Sequence, residues 1–227
     1  KSSAASDVYK RQFLNLCKTG ESFKESYPFV ANIPVNSAQA RDYALEGYLF
    51  PDTYEIYSDE SAESIIGRML TRFGQIMGDE YTARAAKLNM SVDDVITLAS
   101  LIEKEARHEN DFTRVSAVFH LRLDKGMKLQ SDAPLKYIFH TSGVLTFTAE
   151  QMADTSLYNT HVYEGLPLGP IANPGRKAIE AALYPDKEYM NEGYLYFCLM
   201  DSETGELIYA KTLEEHNANV AKYRPNW

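Results

Sequence analysis

The sequence predicts an α+β fold, a mainly helical domain with a small antiparallel sheet. Apolar residues recur at helical spacing through the middle of the chain, beginning with Ile65 and Ile66. Near the C-terminus, residues 194–200 and 207–211 are strand-like and flank the turn sequence 201–206. The chain has 227 residues and no internal repeat, so we expect one domain of ordinary size, or one domain plus a fragment.

Each predicted helix is defined by an apolar stripe and by signals at its ends. The first begins near Ile65 and ends near Gly78, and residues 80–88 form a second. A capping-box pattern, Ser91 with Asp94, begins the third helix. The apolar stripe of this third helix consists of Val95, Leu98, Ala99, Ile102 and Ala106. A fourth helix is predicted to begin at Asp111 and end at Gly126, and a fifth to begin at Ser131 or Asp132 and include Tyr137. A sixth is predicted to begin at the capping box of Thr148 with Gln151. The last predicted helix covers Leu213–Tyr223.

Two loops and the N-terminal region are predicted to be irregular. Residues 45–57 are aromatic and interrupted by Pro51, which favours irregular segments or an edge strand. Residues 155–175 form a long loop rich in glycine and proline, and loops of this length are usually functional or mobile. Residues 1–12 have no helical or strand period, so we expect a non-native leader there, followed in residues 13–44 by a remnant of the N-terminal region and a connector. The true N-terminus and any anchor are then expected to be missing.

Composition and charge narrow the function classes. The formal net charge is −9 at pH 7, which argues against nucleic acid as a partner. The five His and two Cys make no metal-binding spacing, and no nucleotide, dinucleotide or serine-hydrolase motif is present, so neither a metal nor a cofactor is expected. Sixteen Tyr suit stacking on sugar rings, although buried packing accounts for most tyrosines. No stretch reaches the roughly 20 apolar residues that a membrane span requires.

Glu103 and Glu105, at the end of the third helix, are the candidate general acids. Acid catalysis near neutral pH needs a carboxyl that a partly apolar setting keeps protonated. At 100° per residue, both glutamates border the apolar stripe, on opposite sides, while Lys104 between them points to solvent. Helical spacing nominates both carboxyls without choosing between them, and an ion-paired residue at the helix edge is the ordinary alternative for either.

Three further groups of polar residues are candidates for binding. They are Gln130, Ser131 and Asp132, then Asn159 and Thr160, and finally His216 and Asn217. Each group has an ordinary structural alternative, because such residues also serve as helix caps, turn residues or solvated side chains.

Several motifs, taken in order, resemble the MltG (YceG-like) endolytic murein transglycosylases. The matching segments are residues 45–54, 99–105, 115–122, 126–132, 158–160, 165–175, 194–197 and 214–220. A set of ordered motifs is far more specific than any one of them. Residues 45–227 are therefore expected to form the catalytic domain of this family. His161, Leu168 and Ala133 with Pro134 depart from the usual pattern, which bears on fine substrate preference and not on the reaction.

The resemblance also assigns roles to the candidate residues. It implies that Glu103, the first glutamate of the Glu-Lys-Glu motif, is the catalytic acid and base, and that Glu105 is supporting. It implies that Gln130, Asp132, Asn159 and the loop of residues 165–175 line a glycan cleft. Substrate-binding or supporting roles are likewise expected for Glu46, Asp52, Ser131, Thr160, His216 and Asn217.

The implied reaction is a lyase reaction on peptidoglycan. Cleavage of the MurNAc–GlcNAc bond would leave 1,6-anhydro-MurNAc ends and terminate nascent glycan strands. Such proteins are usually tethered by an N-terminal helix at the outer face of the bacterial cytoplasmic membrane, so the resemblance implies the same location for this protein. It also implies peptidoglycan synthases (penicillin-binding proteins) as partners. Two alternatives stay open: a hydrolytic muramidase in which Asp52, Asp132 or Glu105 activates water, and a noncatalytic glycan-binding scaffold.

Overall fold

The computed structural model describes residues 2–143 and 146–227 and confirms the predicted α+β class. Helices surround one core, and a two-stranded antiparallel sheet lies near the C-terminus. The elements are α1 (Ser2–Thr19), α2 (Pro28–Ala31), α3 (Ala62–Lys87), α4 (Val92–Glu105), α5 (Glu109–Asp124), α6 (Ala133–Ile138), α7 (Ala149–Met152), α8 (Arg176–Leu183), α9 (Lys187–Glu192), β1 (Tyr196–Leu199), β2 (Leu207–Ala210) and α10 (Leu213–Tyr223).

Helix α4 lies at the centre of the fold. The predicted capping box begins it, because the Ser91 side chain accepts a hydrogen bond from the Asp94 amide and the Asp94 carboxylate accepts one from the Ser91 amide. Val95, Leu98 and Ile102 of the predicted stripe are fully buried. The helix packs against α3, α5, α6 and α8, so its last turn is held on several sides.

Helix α3 contains the predicted break at Gly78. The backbone of Gly78 has φ 39° and ψ −179°, which is non-helical, and the helical segment resumes after it. The two helices predicted for this region are thus the halves of one kinked helix. Glycine is suited to this position because a residue without Cβ adopts a positive φ at little cost.

Residues 2–12 lie in α1, although their sequence shows no helical or strand period. This helix packs against α3, and the segment after it contributes Phe23 and Val30 to the core, as α1 itself contributes Cys17. Tertiary contact therefore overrides a weak local pattern. The chain from α1 to α2 shares the core of the rest of the molecule.

The C-terminal elements follow the prediction closely. Strands β1 and β2 pair in antiparallel register, with Tyr196 opposite Ala210 and Leu199 opposite Leu207. The connecting turn is closed by Asp201, whose carboxylate accepts hydrogen bonds from two amides of the turn. Helix α10 has the predicted bounds. In residues 2–143 and 146–227, no helix is both long and apolar enough to cross a membrane.

Candidate active site on the last turn of α4

The last turn of α4 presents Glu103 and Glu105 in two different surroundings. Both side chains are partly buried and Lys104 between them is exposed, as the helical spacing predicted. Their hydrogen-bond partners lie in different parts of the chain: Gly175 for Glu103 and Ser131 for Glu105. The structure thus distinguishes two carboxyls that local geometry alone could not.

Glu103 is held by one backbone amide at the start of α8. The N–H of Gly175 donates to Glu103 Oε2 over 3.2 Å, and Gly175 is the residue that precedes α8. The N-terminus of a helix carries partial positive charge and favours a nearby carboxylate. The other oxygen, Oε1, accepts no hydrogen bond within the described residues. One oxygen of this carboxyl is therefore fixed and the other is available.

The loop of residues 165–175 reaches Glu103 because side chains fix it along its length. The Ser100 hydroxyl, fully buried on α4, accepts a hydrogen bond from the Ile171 amide over 3.0 Å. The Asn173 carbonyl oxygen Oδ1 accepts from the Gly47 amide over 2.8 Å and from the Leu49 amide over 3.2 Å. These bonds tie the loop both to α4 and to the segment of residues 45–50.

A buried ion pair holds the beginning of the same loop. Arg41 donates through Nη1 and Nη2 to the two carboxylate oxygens of Asp93, over 2.8 and 2.6 Å, and the Tyr48 hydroxyl donates to Asp93 over 2.6 Å. Arg41 also donates to the Leu168 carbonyl through Nε and Nη2, over 3.1 and 2.9 Å. Bidentate pairing of this kind fixes geometry as well as charge. Sequence reasoning did not single out Arg41 or Asp93, because nothing local marks their pairing.

Glu105 is joined to Ser131 and Thr160. The Ser131 hydroxyl donates to Glu105 Oε1, and burial raises the pKa of the Glu105 carboxyl even though this hydrogen bond opposes the shift. The Thr160 hydroxyl accepts from the Ser131 amide and donates to the Ser131 carbonyl, each over 3.1 Å. Ser131 and Thr160 are buried, so this cluster lies inward from the surface.

Gln130 and Asp132 flank that cluster on the outside. Gln130 is exposed, has a positive φ of 50° and accepts a long hydrogen bond of 3.4 Å from Arg122. Asp132 precedes α6 and its Oδ1 lies 3.0 Å from Nε2 of His161. Arg122, which sequence reasoning missed, is buried and donates to the carbonyls of Leu129 and Leu195, so it ties this segment to the region of the sheet.

Asn159, which the resemblance implied to line a glycan cleft, has its side-chain hydrogen-bond partners within its own loop. Its side chain is 0% exposed. Its amide nitrogen donates to the carbonyls of Met152 and Asp154, and its Oδ1 accepts from the His161 amide. All three partners are backbone groups of neighbouring residues, so Asn159 supports the shape of its own loop.

The remaining candidates lie at different distances from α4. Glu46 is partly buried, and burial raises its pKa while nearby Lys104 opposes the shift. Asp52 is exposed, and its partners are the Thr53 amide and Arg72, both over 2.8 Å. These two hydrogen bonds, first the one from Thr53, lower the pKa of Asp52. Glu46 thus belongs to the surroundings of α4, whereas Asp52 has its partners elsewhere.

His216 and Asn217 lie on α10, against the sheet. The His216 ring stacks on Tyr196 with 5.3 Å between ring centroids, and burial lowers the pKa of His216. Arg122 lies over the same tyrosine ring at 4.9 Å. Asn217 is exposed. Among the described residues, His216 is connected to the Gln130 segment through Tyr196 and Arg122, and no hydrogen bond joins it to Glu103.

Comparison with known proteins identifies the family. The YceG-like family matches residues 5–222. The endolytic murein transglycosylase of Bacillus subtilis is 40% identical over 184 residues, which is 80% of this chain and 48% of that protein. The one of Streptococcus pneumoniae is 36% identical over 202 residues, 87% of this chain and 35% of that protein.

A solved structure agrees with this result. The crystal structure of a yceG-like protein from Listeria monocytogenes has a TM-score of 0.80 and 37% identity, over 92% of this chain and 67% of that chain. A mainly helical α+β domain with a partly buried acid on its central helix is the class that the fold and the site define. The chain belongs to the YceG-like family. It spans about half, or less, of the length of the curated relatives it matches.

Proposed function

We propose that this chain is the catalytic part of an endolytic murein transglycosylase, with Glu103 as its acid and base. The observation that carries the proposal is the state of the Glu103 carboxyl, which has one oxygen held by the Gly175 amide and one oxygen available. The names of the B. subtilis and S. pneumoniae relatives support the reaction class.

In the first step, Glu103 acts as an acid. The Gly175 N–H occupies Oε2, so the proton of the neutral carboxyl sits on Oε1. That proton passes to the oxygen between N-acetylmuramic acid and N-acetylglucosamine, and the bond from this oxygen to C1 of the muramyl sugar breaks. The glucosamine leaves with a new hydroxyl, and C1 becomes an oxocarbenium-like centre.

In the second step, the Glu103 carboxylate acts as a base. It takes the proton from the C6 hydroxyl of the same muramyl sugar, and the C6 oxygen bonds to C1 to close a 1,6-anhydro ring. The carboxyl ends protonated, as it began, and no water is consumed. The partial positive charge at the start of α8 stabilises the carboxylate between the two steps.

Glu105 takes a supporting part in this proposal. Its hydrogen bond with Ser131 joins the end of α4 to the segment that precedes α6. The Gln130 side chain, which is exposed beside that segment, is then available for contact with the glycan. Asp132 and Thr160 support the same segment through His161 and Ser131.

The substrate class and location follow from the reaction class. The proposed substrate is the peptidoglycan glycan strand, and the enzyme would act at the outer face of the bacterial cytoplasmic membrane. Termination of nascent strands would bring it into contact with peptidoglycan synthases. The membrane location and the contact with synthases go beyond the names of the relatives, and both rest on the proposed reaction.

Hydrolysis is the second candidate, because Glu105 places another carboxyl on the same helix turn and burial raises the pKa of that carboxyl. A hydrolase would use one carboxyl as acid and another group to activate water. Mass spectrometry of a digest of purified, uncrosslinked glycan strands separates the two reactions. Transglycosylase products end in anhydro sugars one water lighter than the reducing ends left by hydrolysis. Reducing ends as the primary product would contradict the proposal.

A further inference from the structure

A cationic pocket lies beside the last turn of α4. It has a volume of about 420 Å³ and lies between α4, α6, the segment of residues 140–143 and the 165–175 loop. Its wall includes Lys104, Lys136, Tyr137, His140, Thr141 and Ile171. A cavity of this size is in the range that holds a small ligand or a short peptide segment.

The pocket adjoins the proposed acid. Lys104 directly follows Glu103 on the helix, and Ile171 lies in the loop that ends at Gly175. Two residues of the pocket wall, Ile171 and Ala133, are tied to α4 by hydrogen bonds. The Ile171 amide donates to the Ser100 hydroxyl, and the Ala133 amide donates to the Ser131 hydroxyl, which itself donates to Glu105. The position of the pocket relative to Glu103 is therefore fixed by hydrogen bonds.

The charge of the pocket is opposite to that of the protein. The chain has an excess of acidic residues, with 32 Asp and Glu against 23 Lys and Arg. The pocket wall nevertheless contains two lysines and a histidine and no acidic residue among those that the structure describes. Within the same residues, neither lysine forms an ion pair and neither forms a side-chain hydrogen bond.

Two carboxyls lie close enough to affect these lysines. Lys104 lies near Glu46, and Lys136 lies near Glu105. Burial raises the pKa of both carboxyls, and neither lines the pocket. Because no acidic residue among those described lines the pocket and neither lysine has an ion-pair partner there, the two ammonium groups are available to a ligand of opposite charge.

We propose that this pocket binds a carboxylate attached to the muramyl sugar through its lactyl group. The inference rests on the proposed function, which places the muramyl sugar at Glu103. That sugar alone in the glycan carries a lactyl substituent, which ends either in a free carboxylate or in a peptide with carboxylates of its own. Glu103 acts at C1 of this sugar in the proposed reaction, and its lactyl substituent would then lie near the last turn of α4, where Lys104 lines the pocket. Lys104 and Lys136 would then select strands by the charge of that substituent.

Binding to a non-cleaving protein tests the pocket directly. Glu103→Gln protein is mixed with two preparations of glycan strands, one peptide-bearing and one peptide-free with the lactyl carboxylate exposed. It is also mixed with each preparation after its carboxylates have been converted to methylamides. We expect the methylamide strands to bind roughly tenfold more weakly than the unmodified ones. The two unmodified preparations then identify the source, because the tighter one carries the carboxylate that the pocket prefers.

Two double variants assign the effect to the pocket. In Lys104→Ala/Lys136→Ala, added to Glu103→Gln, we expect native and methylamide strands to bind equally. Lys87→Ala/Lys187→Ala removes the same charge from exposed lysines of a separate cavity and is expected to keep the tenfold preference. Equal binding of native and methylamide strands by Glu103→Gln alone, or an unchanged preference in the Lys104/Lys136 variant, would overturn the inference. Failure of the wild-type protein to cleave strands would contradict the proposed function. The binding measurement on Glu103→Gln protein tests the pocket independently of cleavage.

Discussion

The backbone amide of Gly175 donates a hydrogen bond to the Glu103 carboxylate over 3.2 Å, across 72 residues of sequence. This contact joins the end of α4 to the start of α8, and it exists because the 165–175 loop is fixed along its whole length. The ion pair of Arg41 with Asp93 holds the beginning of that loop, and Asn173 holds its end. Catalysis at Glu103 should therefore depend on residues that never touch the glycan.

Asp93→Asn should destabilise the protein by about 3 kcal/mol, because it leaves the buried Arg41 guanidinium without its charge partner. Denaturant unfolding measures the loss, and strand cleavage should fall as the loop loses its anchor. Asp52→Asn is the matched control, because it removes a carboxylate that pairs with an arginine at the exposed surface. Equal losses of stability in the two variants would show that the buried pair has no special part in the fold.

Gly47→Ala should destabilise by about 3 kcal/mol through crowding and an unfavourable φ. The residue has φ +89°, and an added Cβ would lie 2.5 Å from Pro170 and 2.7 Å from Ile96. Gly126→Ala is the control, since its φ is +63° with nothing within 4 Å of the added Cβ, and it should cost about 1 kcal/mol. Similar melting temperatures for the two variants would contradict the close packing of the 165–175 loop on residues 45–50.

Glu105 should make stability depend on pH, and Glu105→Gln should remove that dependence. Because burial raises the folded-state pKa of this carboxyl, its contribution to stability is fully present below the ordinary glutamate value of 4.5. The contribution is lost as the pH rises from there through the raised folded-state pKa. Unfolding free energies of wild type and Glu105→Gln, measured across that interval, should diverge in favour of the variant as the pH rises. A constant difference at all pH values would mean that the carboxyl is not desolvated.

Local sequence signals predicted much of the helical framework. The capping box of Ser91 with Asp94 and the stripe from Val95 onward define α4, and the same periodicity placed Glu103 and Glu105 on either side of an exposed Lys104. Both signals depend on residues close together in sequence, so they can be recognised without knowledge of the fold. The helix break at Gly78 and the bounds of α10 were predicted for the same reason.

Contacts between distant segments were not predictable in this way. Asn173 accepts from the Gly47 amide across 126 residues, and no local pattern marks either partner. The family resemblance implied that Asn159 lines a cleft, whereas its side-chain amide donates to carbonyls of its own loop. The sequence did not predict helix α1, because its residues show no clear apolar stripe. The helix packs against α3, and this contact between distant segments has no local signal.

Strand cleavage by Glu103→Gln and Glu105→Gln proteins tests the central claim most directly. Both variants keep the shape of the side chain and remove its acid, so they differ only in which carboxyl is lost. We expect Glu103→Gln to lower the rate of anhydro-product formation by at least about a thousandfold with the fold intact, and Glu105→Gln to lower it on the order of tenfold. Mass spectrometry of the products over time gives both rates. Retained cleavage by folded Glu103→Gln protein, with the loss falling on Glu105→Gln instead, would contradict the assignment.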